Sequence, residues 1–356
     1  IVFMDYVRTW GTNKIIIDSN GLNYQGEDDT FTVEYETSGE TVNIVYADAT
    51  QGWIPLDDDV VAQAASPPPT YKAIFGYGMA GASRVSMSNL VNSSGVVATD
   101  VTGVGSARNQ LAAAKYGLDK AIFGYGSTGS YTAITNLVSN SGVIATDVSG
   151  VGTVRNTLAA AGYGGDKAIF GYGQAGSDLS MTNLVNSSGV VAADVTGVGT
   201  ARNSLAATGY GGDKAIFGYG RQPSVLSITN LVTNVGVVGT DVTGVGTARF
   251  SLAATVYGTD KAIFAYGYTT GYVSMSNLVS NSGVVAADVT GVGSVHDGLA
   301  AAGYGGDKAI FGYGGTTPGH TSITNLVSNS GVIATDVSGV GTARTTLAAA
   351  GYSLSA

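Results

Sequence analysis

The chain has 356 residues, of which 44% are hydrophobic and only 12% are charged, with 54 glycines and no cysteine. This composition is typical of an all-β protein with many tight turns and excludes a disordered chain, a disulfide framework and a thiol nucleophile. The formal net charge is −9, and residues 1–70 carry 12 acidic but only 2 basic side chains. Because no basic stretch could hold phosphates, we expect no nucleic-acid partner.

Residues 1–60 are predicted to form a small β-rich module. Strand-like runs at residues 14–18, 30–36 and 41–46 are joined by Asn-Gly and Ser-Gly pairs, which favour hairpin turns. The acidic run at residues 57–59 could hold calcium, but it lacks the glycine turn and the distal glutamate of a calcium loop. We therefore favour a solvated hinge and expect no metal site. Three prolines predict a stiff linker over residues 61–71.

Residues 72–356 consist of six copies of one unit. The string Lys-Ala-Ile-Phe recurs every 47 residues, with one step of 48, and Asn-Leu-Val and Asp-Val-(Thr/Ser)-Gly-Val-Gly recur in phase with it. The first lysines of the copies are Lys72, Lys120, Lys167, Lys214, Lys261 and Lys308. A period of this length is typical of a propeller blade, since WD40 units have about 40–45 residues and kelch units about 50.

Each unit contains four strand-like segments, which in the copy near residue 200 cover residues 201–208, 214–220, 226–232 and 236–242. The array begins with the second type of segment and ends with the first type, at residues 342–352. This phase lets the C-terminal strand complete the first blade and remove exposed sheet edges. We therefore predict a six-bladed β-propeller with four-stranded blades over residues 72–356. A parallel β-solenoid is the alternative, although it gains nothing from the phase.

The repeat offers little catalytic chemistry, and we expect neither an enzyme nor a cofactor. His296 stands where the other copies have arginine, and we interpret it as a repeat variant. The repeated arginines and aspartates could line an axial channel that binds an ion, but we favour a role in locking neighbouring blades together. The repeated tyrosines are predicted to pack between blades with their hydroxyl groups at one polar end.

The six copies differ most in the stretch that follows the second segment. In an up-and-down blade these loops emerge on one face of the ring, and they contain residue types that are common at binding surfaces. The competing interpretation is drift in loops that carry no structural role. The candidate binding residues are Tyr131, Arg221, Tyr268, Tyr272 and His320.

The unit Arg-Asn-Ser-Leu-Ala-Ala, followed by Gly-Asp-Lys-Ala-Ile-Phe-Gly-Tyr-Gly, resembles the kelch-like repeats of bacteriophage virion proteins. It differs from ordinary kelch because Gly218-Tyr219-Gly220 replaces the double glycine and the downstream tryptophan is missing. Residues 11–21 and 45–53 are similar to a β-rich module of phage tail fibres, which is often trimeric.

These resemblances imply a non-enzymatic fibre or tail-tip protein, located on the virion and therefore extracellular. The N-terminal module would attach it to other virion proteins and form a homotrimer, and the propeller would bind a host-surface glycan or protein. Two alternatives stay open. One is a purely structural decoration or fibre-capping protein of the virion, and the other is a lectin-like adhesin secreted by a bacterium.

Overall fold

The computed structural model describes residues 1–30, 32–56 and 70–354. Within these ranges the regular structure is entirely β, with 29 strands and no helix. The chain divides into two compact units, one that ends at Pro68 and one that spans Pro69–Ser355. The predicted acidic hinge and the prolines of the linker lie outside the described residues. No described helix could cross a membrane.

The first unit contains five short strands around a small core. They are β1 (Val2–Met4), β2 (Ile15–Ile17), β3 (Val33–Tyr35), β4 (Thr41–Asp48) and β5 (Gly52–Pro55). They form one sheet in the order β1-β4-β5 and one hairpin of β2 and β3. Alternate residues of β4, Val42 and Ile44, point into a core shared with Trp10 and Tyr24. The three predicted strands are present, although two are shorter than predicted, while β1 and β5 were not predicted.

The second unit contains the remaining 24 strands, from β6 to β29. In chain order they are β6 (Thr70–Gly76), β7 (Met79–Ala80), β8 (Ser83–Arg84), β9 (Ser88–Val91), β10 (Ala112–Tyr116), β11 (Lys120–Ser127), β12 (Tyr131–Val138), β13 (Ala159–Tyr163), β14 (Lys167–Gly171), β15 (Gln174–Ala175), β16 (Ser177–Asp178), β17 (Thr182–Val185), β18 (Ala206–Tyr210), β19 (Lys214–Gly218), β20 (Arg221–Gln222), β21 (Ser224–Val225), β22 (Thr229–Val232), β23 (Ala253–Tyr257), β24 (Lys261–Ala265), β25 (Ser276–Val279), β26 (Ala300–Tyr304), β27 (Lys308–Thr316), β28 (Gly319–Val327) and β29 (Ala348–Leu354).

Eighteen of these strands form six equivalent antiparallel sheets of three strands each, and the other six form the two-stranded hairpins β7-β8, β15-β16 and β20-β21. Sheets 1 to 6 have the strand orders β29-β6-β9, β10-β11-β12, β13-β14-β17, β18-β19-β22, β23-β24-β25 and β26-β27-β28. In sheet 1 the C-terminal strand β29 pairs with β6, with Ala350 opposite Ile74. This is the pairing that the phase of the repeat predicts.

The predicted fourth strand is absent from the described sheets. In the copy near residue 240, Val238 and Val242 form only isolated bridges to β22, at Val232 and Thr229. Between these bridges, the Asn230 side chain donates a hydrogen bond to the carbonyl oxygen of Gly239. A side chain has thus taken the acceptor that a continuous ladder would use, so the outer segment lies against the sheet without forming a strand.

The first strands of the six sheets are small and pack against one another. Each first strand contacts the first strand of the next sheet, in the order β29, β10, β13, β18, β23, β26 and back to β29. Between neighbouring sheets, a phenylalanine fills the space left by a glycine. A Cβ atom added to Gly218 would lie 2.8 Å from the ring of Phe264 in the next sheet. Glycine at this position therefore sets the close approach of the sheets.

Candidate functional site at the hairpin end of the sheets

The repeated arginines are fully buried between neighbouring sheets. The guanidinium of Arg202 donates from Nε to the carbonyl oxygen of Tyr219 at 2.8 Å and from Nη2 to Oδ1 of Asn230 at 2.8 Å. Its Cζ lies 4.3 Å from the ring centroid of Tyr172 in the preceding sheet, a cation–π arrangement. Arg108, Arg155, Arg249 and Arg344 repeat these contacts. The geometry agrees with the interlocking interpretation.

Each arginine cluster also contains one of the repeated aspartates, which lies in the segment that leads from one sheet to the next. Asp241 accepts hydrogen bonds from the backbone N–H and the hydroxyl of Thr200 and from Nδ2 of Asn230. Burial alone would raise the pKa of Asp241, but these hydrogen bonds and the charge of Arg202 bring it below its ordinary value. The tyrosine hydroxyl also has a partner, since Tyr219 donates to the carbonyl oxygen of Val245. The cluster is therefore architectural and leaves little for a ligand.

The interface between sheets 5 and 6 contains His296 in place of the arginine. The imidazole is fully buried and stacks on Tyr266, with ring centroids 4.4 Å apart. Both of its ring nitrogens and Oδ1 of Asn325 lack hydrogen-bond partners among the described residues. Burial lowers the pKa of His296 to about 4, so the ring is neutral at pH 7. These features agree with a repeat variant that is buried inside an interface.

The variable stretches form short hairpins at one end of the sheets. Each is joined by an antiparallel bridge to the residue just before the first strand of its own sheet, as in Asn203 with Arg221 and Phe250 with Tyr268. A cavity of about 270 Å³ opens among these residues and is lined by the first strands of all six sheets. A second cavity of about 250 Å³ lies further along these strands and shares six alanines with the first. The shared residues are Ala113, Ala160, Ala207, Ala254, Ala301 and Ala349.

A closed circle of backbone hydrogen bonds surrounds the first cavity. Six residues with φ between 51° and 57° precede the first strands: Gln110, Thr157, Ser204, Ser251, Gly298 and Thr346. The N–H of each donates to the carbonyl oxygen of the equivalent residue one sheet earlier, and Gln110 donates to Thr346 at 2.8 Å. All six residues line the cavity. The circle uses the backbone groups, while the hydroxyls of Thr157, Ser204 and Thr346 donate to Asn156, Asn203 and Thr345 and can meet a ligand as acceptors.

Three of the five predicted site residues belong to one group. The guanidinium Cζ of Arg221 lies 4.5 Å from the ring centroid of Phe250, whose ring is 5.5 Å from that of Tyr268. Tyr268 meets the ring of Tyr272 edge-on at 5.3 Å. Asn203 connects the group to sheet 3, because it accepts from Nε of Arg221 and donates to Asp178. We call Arg221, Phe250, Tyr268 and Tyr272 the aromatic group.

The other two predicted site residues lie apart from the aromatic group. Tyr131 begins β12, pairs with Ser127 and is 39% exposed. His320 is half-buried in the hairpin of sheet 6, where its Nδ1 accepts a hydrogen bond from the N–H of Gly81 in sheet 1. His320 thus connects two neighbouring hairpins. The structure therefore gathers some of the predicted residues and separates others.

The residues three positions before the first strands were not identified from the sequence as candidates for the site. At this position the six copies have Thr345, Asn109, Asn156, Asn203, Phe250 and Asp297. The variation was visible in the alignment of the copies and marks the same end of the sheets as the hairpins. Burial raises the pKa of the Asp297 carboxyl to about 6. Among the described residues, no cluster of histidine and acidic side chains could hold a metal ion.

No protein-family model matches the chain, and no curated protein has a matching sequence.

Proposed function

We propose that Pro69–Ser355 is a six-bladed β-propeller that serves as a non-enzymatic binding module. Three observations support the architecture: the pairing of β29 with β6, the circular contacts of the six first strands, and the circle of backbone hydrogen bonds. Arg344 adds a fourth, because it joins sheets 6 and 1 through Tyr313 and Tyr77 in the same way as the arginines within the array. A ring of sheets leaves only short outer edges, which suits a displayed protein.

One observation carries the binding role: sequence variation and the cavity coincide. The buried arginine clusters and the glycine–phenylalanine contacts recur nearly unchanged, whereas the six hairpins differ in every copy. Two hairpin residues, Gln174 and Arg221, and two residues bridged to hairpins, Asn203 and Phe250, line the cavity at this end. Aromatic rings beside hydroxyl and amide groups suit a glycan, since rings stack on sugar faces while polar groups meet the sugar hydroxyls.

The wider role rests on sequence resemblance. The kelch-like repeat and the tail-fibre-type N-terminal module favour a fibre or tail-tip protein of a bacteriophage virion. In this proposal the N-terminal unit attaches to other virion proteins and trimerises, and the propeller contacts the host surface. The mass of the full chain in solution tests the trimer, which predicts three times the mass of one chain.

Binding is tested with the full chain on a glycan array and on intact host cells. The variant Phe250→Ala with Tyr268→Ala removes two rings of the aromatic group and should lower the signal at least tenfold. The matched control is Leu118→Ala, which removes an exposed apolar side chain from the turn at the opposite end of sheet 2. Equal binding by the double variant and the control would contradict the proposed site. A wild-type chain that binds no glycan and no cell would favour a purely structural role.

A further inference from the structure

Arg221 is the only charged residue among those that line the cavity at the hairpin end. The rest of the lining is apolar or carries neutral hydroxyl and amide groups, such as Ser204, Ser251 and Gln174. A single charge at the mouth of an otherwise neutral cavity selects the sign of the ligand. The cavity is therefore suited to a ligand with one negative charge and several neutral polar groups.

The guanidinium of Arg221 is held in place but not neutralised. Its Nε donates to Oδ1 of Asn203 at 3.3 Å, and its flat face lies over the ring of Phe250. Asn203 is fixed in turn by a 2.6 Å hydrogen bond to Asp178. Within the described ranges, Arg221 forms no ion pair, and Nη1 and Nη2 have no hydrogen-bond partner. Two donors of a positioned fork are left for a ligand, and a carboxylate matches such a fork in a bidentate manner.

The remaining lining fits a sugar. The lining includes the hydroxyl groups of Thr157, Ser204, Ser251 and Thr346 and the amide of Gln110. The hydroxyls of Thr157, Ser204 and Thr346 already donate to Asn156, Asn203 and Thr345, so they would accept hydrogen bonds from sugar hydroxyls. The volume of about 270 Å³ is close to the lower bound of ordinary ligand pockets, about 300 Å³, and suits one terminal saccharide residue. A single guanidinium matches a monoanionic carboxylate better than a dianionic phosphate monoester. The carboxylate of Asp178, on the other side of Asn203, also disfavours a second negative charge nearby.

We propose that this cavity binds a carboxylate-bearing saccharide, a uronic acid or a sialic acid type of residue, with its carboxylate on Nη1 and Nη2 of Arg221. The inference rests on the proposed glycan-binding function and narrows it to acidic sugars. The carboxylate supplies the ionic contact, and the sugar hydroxyls meet the neutral side chains of the lining.

The test uses the full chain on an array that presents each acidic glycan beside its counterpart without the acidic residue or with the carboxyl reduced to an alcohol. We expect the acidic member of a pair to bind at least tenfold more tightly, and Arg221→Gln to remove this difference. Arg84→Gln is the matched control, because Arg84 also donates from Nε to an asparagine, Asn109, but does not line the cavity. This variant should keep the preference.

The outcomes separate the inference from the function on which it rests. Binding confined to neutral glycans, or a preference for acids that survives Arg221→Gln, would overturn the inference while leaving glycan binding intact. Binding to phosphorylated glycans alone would replace the carboxylate with another anion and also overturn it. A wild-type chain that binds no glycan would overturn both. Calorimetry of the strongest acidic ligand against its reduced form gives the fold-change directly.

Discussion

The interface between sheets 5 and 6 differs from the five other interfaces between neighbouring sheets at two buried positions. His296 replaces the arginine, and Ala265 replaces the glycine that faces the next phenylalanine. The rings of Tyr266 and Phe311 are 5.5 Å apart, whereas the equivalent pairs are 5.1 to 5.2 Å apart. The extra methyl group of Ala265 lies where a Cβ on glycine would contact the ring.

The comparison identifies what joins the sheets. At five interfaces one guanidinium donates to three acceptors at once. They are a tyrosine carbonyl oxygen, an asparagine side-chain oxygen and the carbonyl oxygen two residues before the arginine, as in Arg202 with Thr200. At the sixth, Asn325 still binds Asp336, but its Oδ1 and both nitrogens of His296 lack partners among the described residues. Buried polar atoms without partners cost about 1–3 kcal/mol each. We infer that this is the weakest of the six interfaces.

Deletion of residues 342–356 should have the largest effect. It removes Arg344 and the strand that pairs with β6, so the interface between sheets 6 and 1 and the first strand of sheet 1 are both lost. We expect no cooperative unfolding transition in circular dichroism or calorimetry. A cooperative melt at the wild-type temperature would show that the sixth and first sheets need no connection, and would contradict the proposed ring.

Arg202→Leu should follow in size, because it leaves Asn230 Oδ1 and the Tyr219 carbonyl without their donor. We expect a loss of about 3–5 kcal/mol in the free energy of unfolding, the usual cost of breaking a buried charged network. Urea unfolding measures this value. Lys214→Leu is the control, since it removes an exposed ion pair with Asp213 and should cost less than about 1 kcal/mol. Equal losses would contradict an architectural role for the buried arginines.

His296→Arg combined with Ala265→Gly should restore the common interface. Tyr266, Asn325, Asp336 and Ser294 keep the arrangement of their equivalents, so the guanidinium has its partners in place. We expect a gain of about 1–3 kcal/mol in the free energy of unfolding. The reverse pair of changes in sheets 3 and 4, Gly171→Ala with Arg202→His, should destabilise the chain. A gain from the reverse pair would contradict the comparison.

The smallest effect concerns pH and the adjacent pair His296 and Asp297. Burial lowers the pKa of His296 from 6.5 to about 4, so the unfolded chain binds the extra proton and stability falls as pH drops from 6.5 to 4. Burial raises the pKa of Asp297 from 3.8 to about 6, so its contribution falls as pH rises from 3.8 to 6. The two contributions oppose each other between about pH 4 and pH 6.

Single variants separate these opposing contributions. Asp297→Asn should lose more stability than the wild type between pH 6.5 and pH 4, by on the order of 2 kcal/mol or less. His296→Arg should instead gain stability relative to the wild type over the same acidification. Urea unfolding at several pH values measures both slopes. Parallel curves for the two variants would mean that neither group titrates as its burial requires.

Much of the fold could be predicted from local pattern. The position of Lys72 in the repeat predicts that the last strand pairs with the first copy, because every unit has the same strand order. The prediction that the outer segment forms a fourth strand was wrong. Its sequence alternates as a strand does, but the Asn230 side chain donates to the carbonyl oxygen of Gly239, which a strand ladder would use. Competition between a side chain and the backbone for one acceptor depends on geometry that the alternation does not contain.

The candidate site could be predicted only in part. Variation among the copies led to Arg221, Tyr268 and Tyr272, which do meet. Phe250, which lies between Arg221 and Tyr268 in the structure, was missed because it precedes Tyr268 by 18 residues and lies outside the variable loop. His320 has the right type for a binding residue but contacts Gly81 in the next hairpin. Proximity across the sheets, not residue type, separates the two cases.

By itself the sequence determined the number of copies, the strand types, their phase and the balance of charge, because each of these is a property of a period repeated along the chain. The tertiary structure decided which repeated polar residues are buried and which interface contains buried polar atoms without hydrogen-bond partners. It also decided which variable residues share a cavity. These outcomes depend on contacts between sheets, where one guanidinium joins residues from two copies and a single methyl group changes the spacing of the rings.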